Sequence, residues 1–304
     1  PQSKFTENEL TTVRVSPIKI GVIGFKSIPK GDTDEIPIEI CNNLLSNSSE
    51  TGLLNKLQLD GKVLAAQSFS MHNHDDGAEL LLVVPKIIGQ SFDKAENLVY
   101  KEMAKLSSGE FSEDLLQCVK NALIQKYKTD METVQGRGFK LLDVFNCGKD
   151  WNYVTSYSEQ VAKVTKQDIM RIAAKYYSGY HYTIHSKTGF PHKDHLEKPG
   201  FKPVLTEQKG TSVYAELFKK IQNEMDTPKF LDFNSDKTTL DLGHNNKLYA
   251  VKNSYNDIAT LKIKYYAGKE KISDIDLAAQ ILNASSIKGM KLDDFKKELA
   301  ALNC

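Results

Sequence analysis

Histidine and acidic side chains lie close together at one place in the sequence where they could bind a metal ion. His72-x-His74 is followed directly by Asp75 and Asp76. Alternate residues of a β-strand share one face, so the two imidazoles could bind a metal such as zinc while the carboxylates complete its coordination. The same residue types are typical of a polar hairpin turn, and we favour that interpretation.

A second group of possible metal ligands is His192-x-x-His195 with Glu197 nearby. Its residue types are those of metallopeptidase motifs, but their spacing and order are different. Pro191 and Pro199 flank the group, and prolines argue against the long helix that such a motif needs. We therefore interpret this stretch as a solvated linker.

Other short motifs carry little weight. Asn47-Ser48-Ser49 and Asn283-Ala284-Ser285 match the N-glycosylation pattern, which is common by chance. Gly21-x-x-Gly24 lies inside a strand pattern and not at a strand-to-helix turn, which argues against a phosphate-binding loop.

The four cysteines are Cys41, Cys118, Cys147 and Cys304, and no two of them form a Cys-x-x-Cys pair. This spacing argues against a zinc ribbon or a dithiol redox site. Cys41 and Cys118 lie in apolar-periodic stretches, so we expect them to be thiols of the core. The even count permits disulfides in an oxidising compartment without arguing for them.

Length and charge set the broad class of the protein. Its 304 residues are enough for about two domains of roughly 150 residues each. Forty basic residues against 39 acidic ones leave a net charge of +1, so nothing in the charge points to nucleic acid as the main partner. The longest apolar run, Leu80–Val84, is far below the roughly 18 residues of a membrane span, and we expect none. Because the chain starts at Pro1 without methionine, we expect either a processed protein or a piece of a longer one.

Hydrophobic periodicity predicts the order β-α-α-β-β-α-α-α-β for the first part of the chain. Ser112 is a predicted helix cap, and Thr165 and Asp168 form a predicted capping box. The predicted strands are 18–26, Lys62–Met71, Ala78–Val84 and His181–His185, and the predicted helices are Ile36–Leu45, Leu53–Leu59, Phe92–Leu106, Glu113–Tyr127 and Thr165–Tyr177.

The second part repeats such a pattern and stops early. Residues 188–202 read as a linker rich in His, Lys, Pro and Gly. The elements predicted after it are a helix at Val213–Met225, strands at Lys247–Val251 and Ile258–Tyr266, and helices at Asp276–Asn283 and Leu292–Leu302.

These elements predict an α+β fold, a two-layer sandwich of a mainly antiparallel sheet with helices on one face. We predict a first domain at 1–187, a linker with one helix at 188–238, and the start of a second such domain at 239–304. The last part lacks most of a sheet, so we expect it to lean on the first domain, to be partly mobile or to associate with a second copy.

Several segments resemble the pitrilysin/insulinase-type zinc metallopeptidases, the inverted zincins. Glu50–Lys62, Gly109–Asn121 and Val164–Tyr177 are similar to stretches of the non-catalytic second domain in that family. Asn245–Leu248, Tyr266–Gly268 and Gly289–Phe295 resemble the opening of a third domain. The resemblance implies a parent protein whose two halves enclose peptides and cut them. This segment would then supply chamber wall, a hinge, and packing for the catalytic domain.

The catalytic motif of that family, His-x-x-Glu-His, is absent from the sequence. In the family, its histidines bind zinc and its glutamate acts as the general base on the metal-bound water. The resemblance aligns the motif with Leu277, Ala278, Ala279, Gln280 and Ile281, none of which can bind zinc or take a proton at neutral pH. We therefore expect no catalytic residue and no metal ligand in this chain, with zinc held by an upstream domain of the parent.

Some family members hold substrate with an Arg and a Tyr seven residues apart. The matching positions here are Asn55 and Lys62, so no substrate contact carries over and the substrate-binding residues stay unknown. The expected partners are the flanking domains of the parent and peptide substrates. The alternative is a non-enzymatic assembly subunit of a degenerate peptidase relative. A periplasmic location rests only on what bacterial relatives of this size often do.

Overall fold

The computed structural model of the protein describes residues 5–189, 210–221 and 234–302, together with positions 191, 197, 200, 202, 227, 230 and 232. The chain divides into two compact units, one formed by Pro1–His192 with Ile258–Cys304 and the other by Lys193–Asp257. The domain boundaries predicted at residues 187 and 238 stay predictions.

The first unit is built on one five-stranded sheet. Its strands are β1 (Glu9–Ser16), β2 (Ile20–Ser27), β3 (Ala65–His72), β4 (Gly77–Val84) and β5 (His181–Thr188). They lie in the order β1-β5-β2-β4-β3, and only the β1–β5 pair is parallel. Residues 73–76 form the turn between β3 and β4, which confirms the hairpin predicted there.

Eight helices of the first unit lie between these strands in the sequence, two between β2 and β3 and six between β4 and β5. They are α1 (Glu35–Leu45), α2 (Leu53–Leu59), α3 (Phe92–Ser108), α4 (Glu113–Asp130), α5 (Val134–Cys147), α6 (Asn152–Thr155), α7 (Tyr157–Lys163) and α8 (Lys166–Tyr176). The Ser112 cap and the Thr165–Asp168 capping box form as predicted. No helix within the described ranges combines the length and the hydropathy of a membrane span.

The core lies between one face of the sheet and helices α1, α3 and α8, each of which contacts a strand. Inward strand residues alternate with outward ones, as in β2, where Ile23 and Phe25 are buried. The fully buried side chains of this layer include Ile38, Cys41, Leu44, Leu81, Leu106, Ile169 and Ile172. The predicted two-layer α+β fold is confirmed.

The cysteines differ from one another in burial. Cys41 is buried in the core as predicted, and burial raises the pKa of its thiol. Cys118 and Cys147 are only half-buried, so the prediction of a core thiol at Cys118 was too strong. All three are free thiols. Cys304 lies outside the described residues.

Strand β1 was not predicted. Its sequence, ELTTVRVS, has mostly exposed side chains, and its apolar alternation is limited to Val13 and Val15. It pairs in parallel with β5 at the edge of the sheet, with Glu9 opposite Tyr182 and Val13 opposite Ser186. Since backbone hydrogen bonds place this strand and side-chain burial contributes little, its hydropathy signal is short and weak.

The remaining elements are α9 (Val213–Lys220), β6 (Thr238–Gly243), β7 (Asn246–Ala250), α10 (Ile275–Asn283) and α11 (Leu292–Ala301). The predicted helices at Asp276–Asn283 and Leu292–Leu302 are present. Met225, at the end of the helix predicted from Val213, lies outside the described residues. The strand predicted at Ile258–Tyr266 was wrong: Leu261, Ile263 and Tyr265 are exposed and irregular. A strand needs a paired neighbour, and in neither of the described sheets do residues 258–266 pair with a strand.

One carboxylate is buried on the inner face of the sheet. Glu79 of β4 is fully buried and lies in one row with Phe25 of β2 and Ser70 of β3. Its two oxygens are bonded to Ser27 Oγ (2.5 Å), His72 Nε2 (2.8 Å), Asn42 Nδ2 (2.6 Å) and Ser70 Oγ (2.7 Å). Because Asn42 belongs to α1, this network ties that helix to β2, β3 and β4.

The network also sets the charge of the carboxyl group. Burial alone would raise the pKa of Glu79, but the hydrogen bonds from His72, Ser27, Asn42 and Ser70 outweigh it and hold that pKa below its ordinary value. Glu79 is therefore an ionised group whose hydrogen bonds replace those of water.

We expect Leu44→Ala to lower the free energy of unfolding by about 2–5 kcal/mol, because it removes a fully buried side chain from between α1 and the sheet. Leu277→Ala on α10 is the matched control and should change it by less than about 0.5 kcal/mol, since Leu277 is 57% exposed. Urea unfolding followed by circular dichroism measures both. Equal losses would show that the core is wrongly placed.

We expect Glu79→Gln to destabilise the protein by about 1–3 kcal/mol at pH 7, because donors of the network lose their ionised acceptor. The pKa of Glu79 is lowered by folding, so its contribution is full above the ordinary pKa of about 4.3 and is lost as the pH falls through the lower folded value. The difference in the free energy of unfolding between variant and parent should therefore shrink below about pH 4.3. Glu159→Gln, at an exposed position of α7, should show neither effect.

Candidate functional site

A cavity of about 260 Å³ opens beside α1, bordered by the ends of β3 and by α4, α5, α6 and α7. Most of its wall surface is apolar, but acids, lysines and phenols also line it. They are formed by Lys30, Glu35, Ile36, Glu39, Ser70, His72, Leu123, Lys126, Tyr127, Asp130, Lys140, Asp143, Tyr153, Val154 and Tyr157. We refer to it as the α1 cavity.

Two carboxylates on α1 face this cavity. Glu35 and Glu39 are four residues apart, so they lie one above the other on the same face of the helix. Glu35 Oε2 accepts hydrogen bonds from the backbone N–H of Gly31 and from the Tyr153 hydroxyl, both at 2.7 Å. Glu39 Oε2 accepts one from the Tyr157 hydroxyl at 2.8 Å. Each acid is therefore held by one phenol.

The two phenols are donors and remain protonated. Burial, followed by the hydrogen bond to Glu35, raises the pKa of Tyr153 far above its ordinary value. Burial and the charge of Glu39 do the same to the pKa of Tyr157. Both tyrosines come from the short helical segment α6–α7, so this segment fixes the orientation of both carboxylates.

Burial raises the pKa of Glu39, and the nearby charge of Glu35 adds to that shift. The Tyr157 hydrogen bond and the charge of Lys140 oppose it without cancelling it. A further hydrogen-bond donor or positive charge would stabilise the ionised form of this carboxyl group. The cavity can thus accept hydrogen bonds along α1.

The lysines of the cavity differ in their pairing. Lys30 Nζ lies 2.8 Å from Asp143 Oδ1, and Lys126 Nζ lies 2.6 Å from Asp130 Oδ2. Lys140 instead lies over the ring of Tyr157, with its Nζ 6.0 Å from the ring centroid. Two of the three ammonium groups are thus balanced by aspartates.

The histidines of the His72-x-His74 motif do not converge on a common metal position. His72 Nε2 is bonded to Glu79 inside the sheet-to-helix network, whereas His74 is exposed and contacts Asp75 at 2.8 Å. Asp76 instead accepts the Asn73 N–H through its backbone carbonyl, which closes the turn. Within the part of the chain that the structure describes, no three His, Cys, Asp or Glu side chains are placed to hold a metal ion.

The other motifs have structural roles where they can be seen. Asn55 Oδ1 accepts the backbone N–H groups of Gly52 and Asn47 and so caps α2. Lys62 pairs with Asp60 at 3.1 Å. Neither residue lines the α1 cavity. Glu197 is exposed, and His192 and His195 lie outside the described residues.

The sequon and glycine motifs are also explained by packing. The Asn47 amide donates to the Asn43 carbonyl and the Thr51 hydroxyl. Gly21 leaves room inside the sheet, since a Cβ there would lie 3.1 Å from Glu96 Oε1. Glu96 in turn bonds His185 Nε2 at 2.5 Å, a second buried acid–histidine pair.

The positions aligned with the catalytic motif lie on α10 as predicted. Leu277 and Ile281 are 57% and 58% exposed, and Ala278, Ala279 and Gln280 are exposed as well. These side chains offer hydrocarbon and one amide to their surroundings. The residues therefore do not fit the zinc that the family resemblance implies for its catalytic helix.

No protein-family profile matches the sequence, and no curated protein sequence matches it either. Solved structures do match. A protease from Helicobacter pylori aligns with a TM-score of 0.54 at 18% identity, over 60% of this chain and 45% of that one. The peptidase M16 inactive domain from Pseudomonas fluorescens gives a TM-score of 0.51 at 11% identity, over 62% and 45%. The inactive peptidase domain of a suspected zinc protease from Bordetella parapertussis gives 0.50 at 18% identity, over 60% and 99%.

The chain spans less than half the length of the first two of these structures, and nearly all of the third is matched. At such low identity the likeness concerns the fold. It agrees with the relation to pitrilysin-type peptidases that the sequence motifs predict. The matched part of this chain has the fold of M16 peptidase-family domains, including those described as inactive.

Proposed function

We propose that this chain is a catalytically silent segment of a zinc metallopeptidase, and that it forms part of the wall and hinge that enclose a peptide. Support comes from the fold, which is that of inactive domains from M16 peptidases and a suspected zinc protease. Further support comes from the motifs at Glu50–Lys62, Gly109–Asn121 and Val164–Tyr177.

The observation that carries the proposal is the chemistry of the helices where ligands would be sought. On α1, the acids Glu35 and Glu39 are bonded to phenols and no histidine accompanies them on the helix. On α10, leucine, alanine, glutamine and isoleucine stand at the motif positions. Neither helix can bind zinc and activate water in the way the family's catalytic helix does.

Zinc would therefore belong to another domain of the parent protein, and this segment would act by shape. A domain that serves as part of a chamber wall needs a rigid two-layer structure and no catalytic nucleophile. The Glu79 network and the buried core supply such a structure. The flanking domains and a peptide are the partners that the proposal implies.

We expect the purified 304-residue chain to hold far less than one equivalent of zinc after incubation with zinc and dialysis, measured by atomic absorption. It should release no fluorescence from a quenched peptide library. Stoichiometric zinc together with cleavage that a chelator abolishes and zinc restores would overturn the proposal.

We expect the complete reading frame that contains this sequence to encode His-x-x-Glu-His upstream of Pro1. Full-length protein should then cleave peptides, and alanine at the first histidine of that motif should abolish cleavage. A complete frame without the motif would favour the alternative, a non-enzymatic assembly subunit.

A further inference from the structure

Three oxygens along one face of α1 lack a hydrogen-bond donor. Glu35 and Glu39 each use only Oε2, so no described residue donates to either Oε1. Asn42, three residues after Glu39 on the same face, is 6% exposed, and its Oδ1 is buried without a partner. Its amide nitrogen donates to Ser70, which lines the α1 cavity. The face is thus rich in acceptors at and beside the cavity.

The charged side chains of the lining also favour a positively charged ligand. Lys30 and Lys126 are neutralised by Asp143 and Asp130. His72 is bonded to Glu79. What remains is two carboxylates, Glu35 and Glu39, against one ammonium group, that of Lys140.

We propose that the α1 cavity binds the ammonium or guanidinium group of one basic side chain. Such a group carries a single positive charge and only donors, which matches a lining with one surplus negative charge and unused acceptor oxygens. The phenols of Tyr153 and Tyr157 hold the two carboxylates in place, so binding requires no rearrangement of these acids. A cavity of about 260 Å³ accommodates a side chain and not a folded partner.

A divalent metal ion is a poorer occupant. Among the described residues no three metal-binding side chains converge, and Lys140 lies in the same lining. The inference rests on the proposed function only in that the basic side chain would belong to an enclosed peptide.

The test is a titration of the full 304-residue chain with N-acetyl-lysinamide, followed by NMR at pH 7 and low ionic strength. The matched control ligand is N-acetyl-norleucinamide, which has a similar length and no charge. We expect saturable binding of the lysine derivative only, weakened about tenfold or more by Glu39→Gln and by Glu35→Gln. Glu159→Gln, an exposed acid on α7, should leave the affinity unchanged.

Thermal unfolding shows whether each variant folds. Glutamine has nearly the shape of glutamate, and its amide oxygen can still accept the Tyr157 hydrogen bond, so we expect Glu39→Gln to keep a parent-like melting temperature. Binding that is equal for both ligands, or unchanged in both cavity variants, would overturn the inference. So would stoichiometric binding of calcium or zinc alone that requires Glu39. Peptide binding that does not depend on Glu39 would refute this inference and leave the proposed function standing. Absence of a catalytic motif in the parent would refute the proposed function and leave this inference standing.

Discussion

The ionised carboxylate of Glu79 is the constraint on which the rest of the first unit depends. A charge on the buried face of a sheet is tolerated only when hydrogen bonds replace the water that it loses. Those bonds come from β2, β3 and α1, so the first helix cannot slide along the sheet without leaving the charge unpaired. The apolar residues around it, such as Ile38 and Leu81, supply the driving force for packing but little positional specificity.

The position of α1 in turn creates the cavity. The start of the helix is fixed by Asp34, which accepts hydrogen bonds from Arg171, Lys175 and Tyr176 of α8. With both the start and the middle of the helix fixed, Glu35 and Glu39 face the segment α6–α7, where the phenol hydroxyls of Tyr153 and Tyr157 donate to them. The same helix therefore presents apolar residues to the sheet and acids to the cavity.

Local signals in the sequence were sufficient for much of this fold. The caps at Ser112 and Thr165, the hairpin after His72 and the helix at Leu277–Ile281 could all be predicted, because each depends on residues a few positions apart. The cavity could not be predicted. Glu35 and Glu39 are visibly four residues apart, but the tyrosines that define their role lie 118 positions away in each case. Likewise Glu79 lies in a strand pattern. An acid at an inward-facing position of a strand indicates a buried hydrogen-bond network, and this was the signal available in the sequence.

The parallel pairing at the sheet edge has a consequence for the order in which the chain folds. Thr11 of β1 contacts Tyr182 of β5, 171 residues later in the chain. During synthesis β1 leaves the ribosome long before β5, and it cannot form this pair until residue 188 has emerged. Because so long a loop must close, this edge is expected to form late, after the antiparallel hairpin of β3 and β4 has assembled from neighbouring residues.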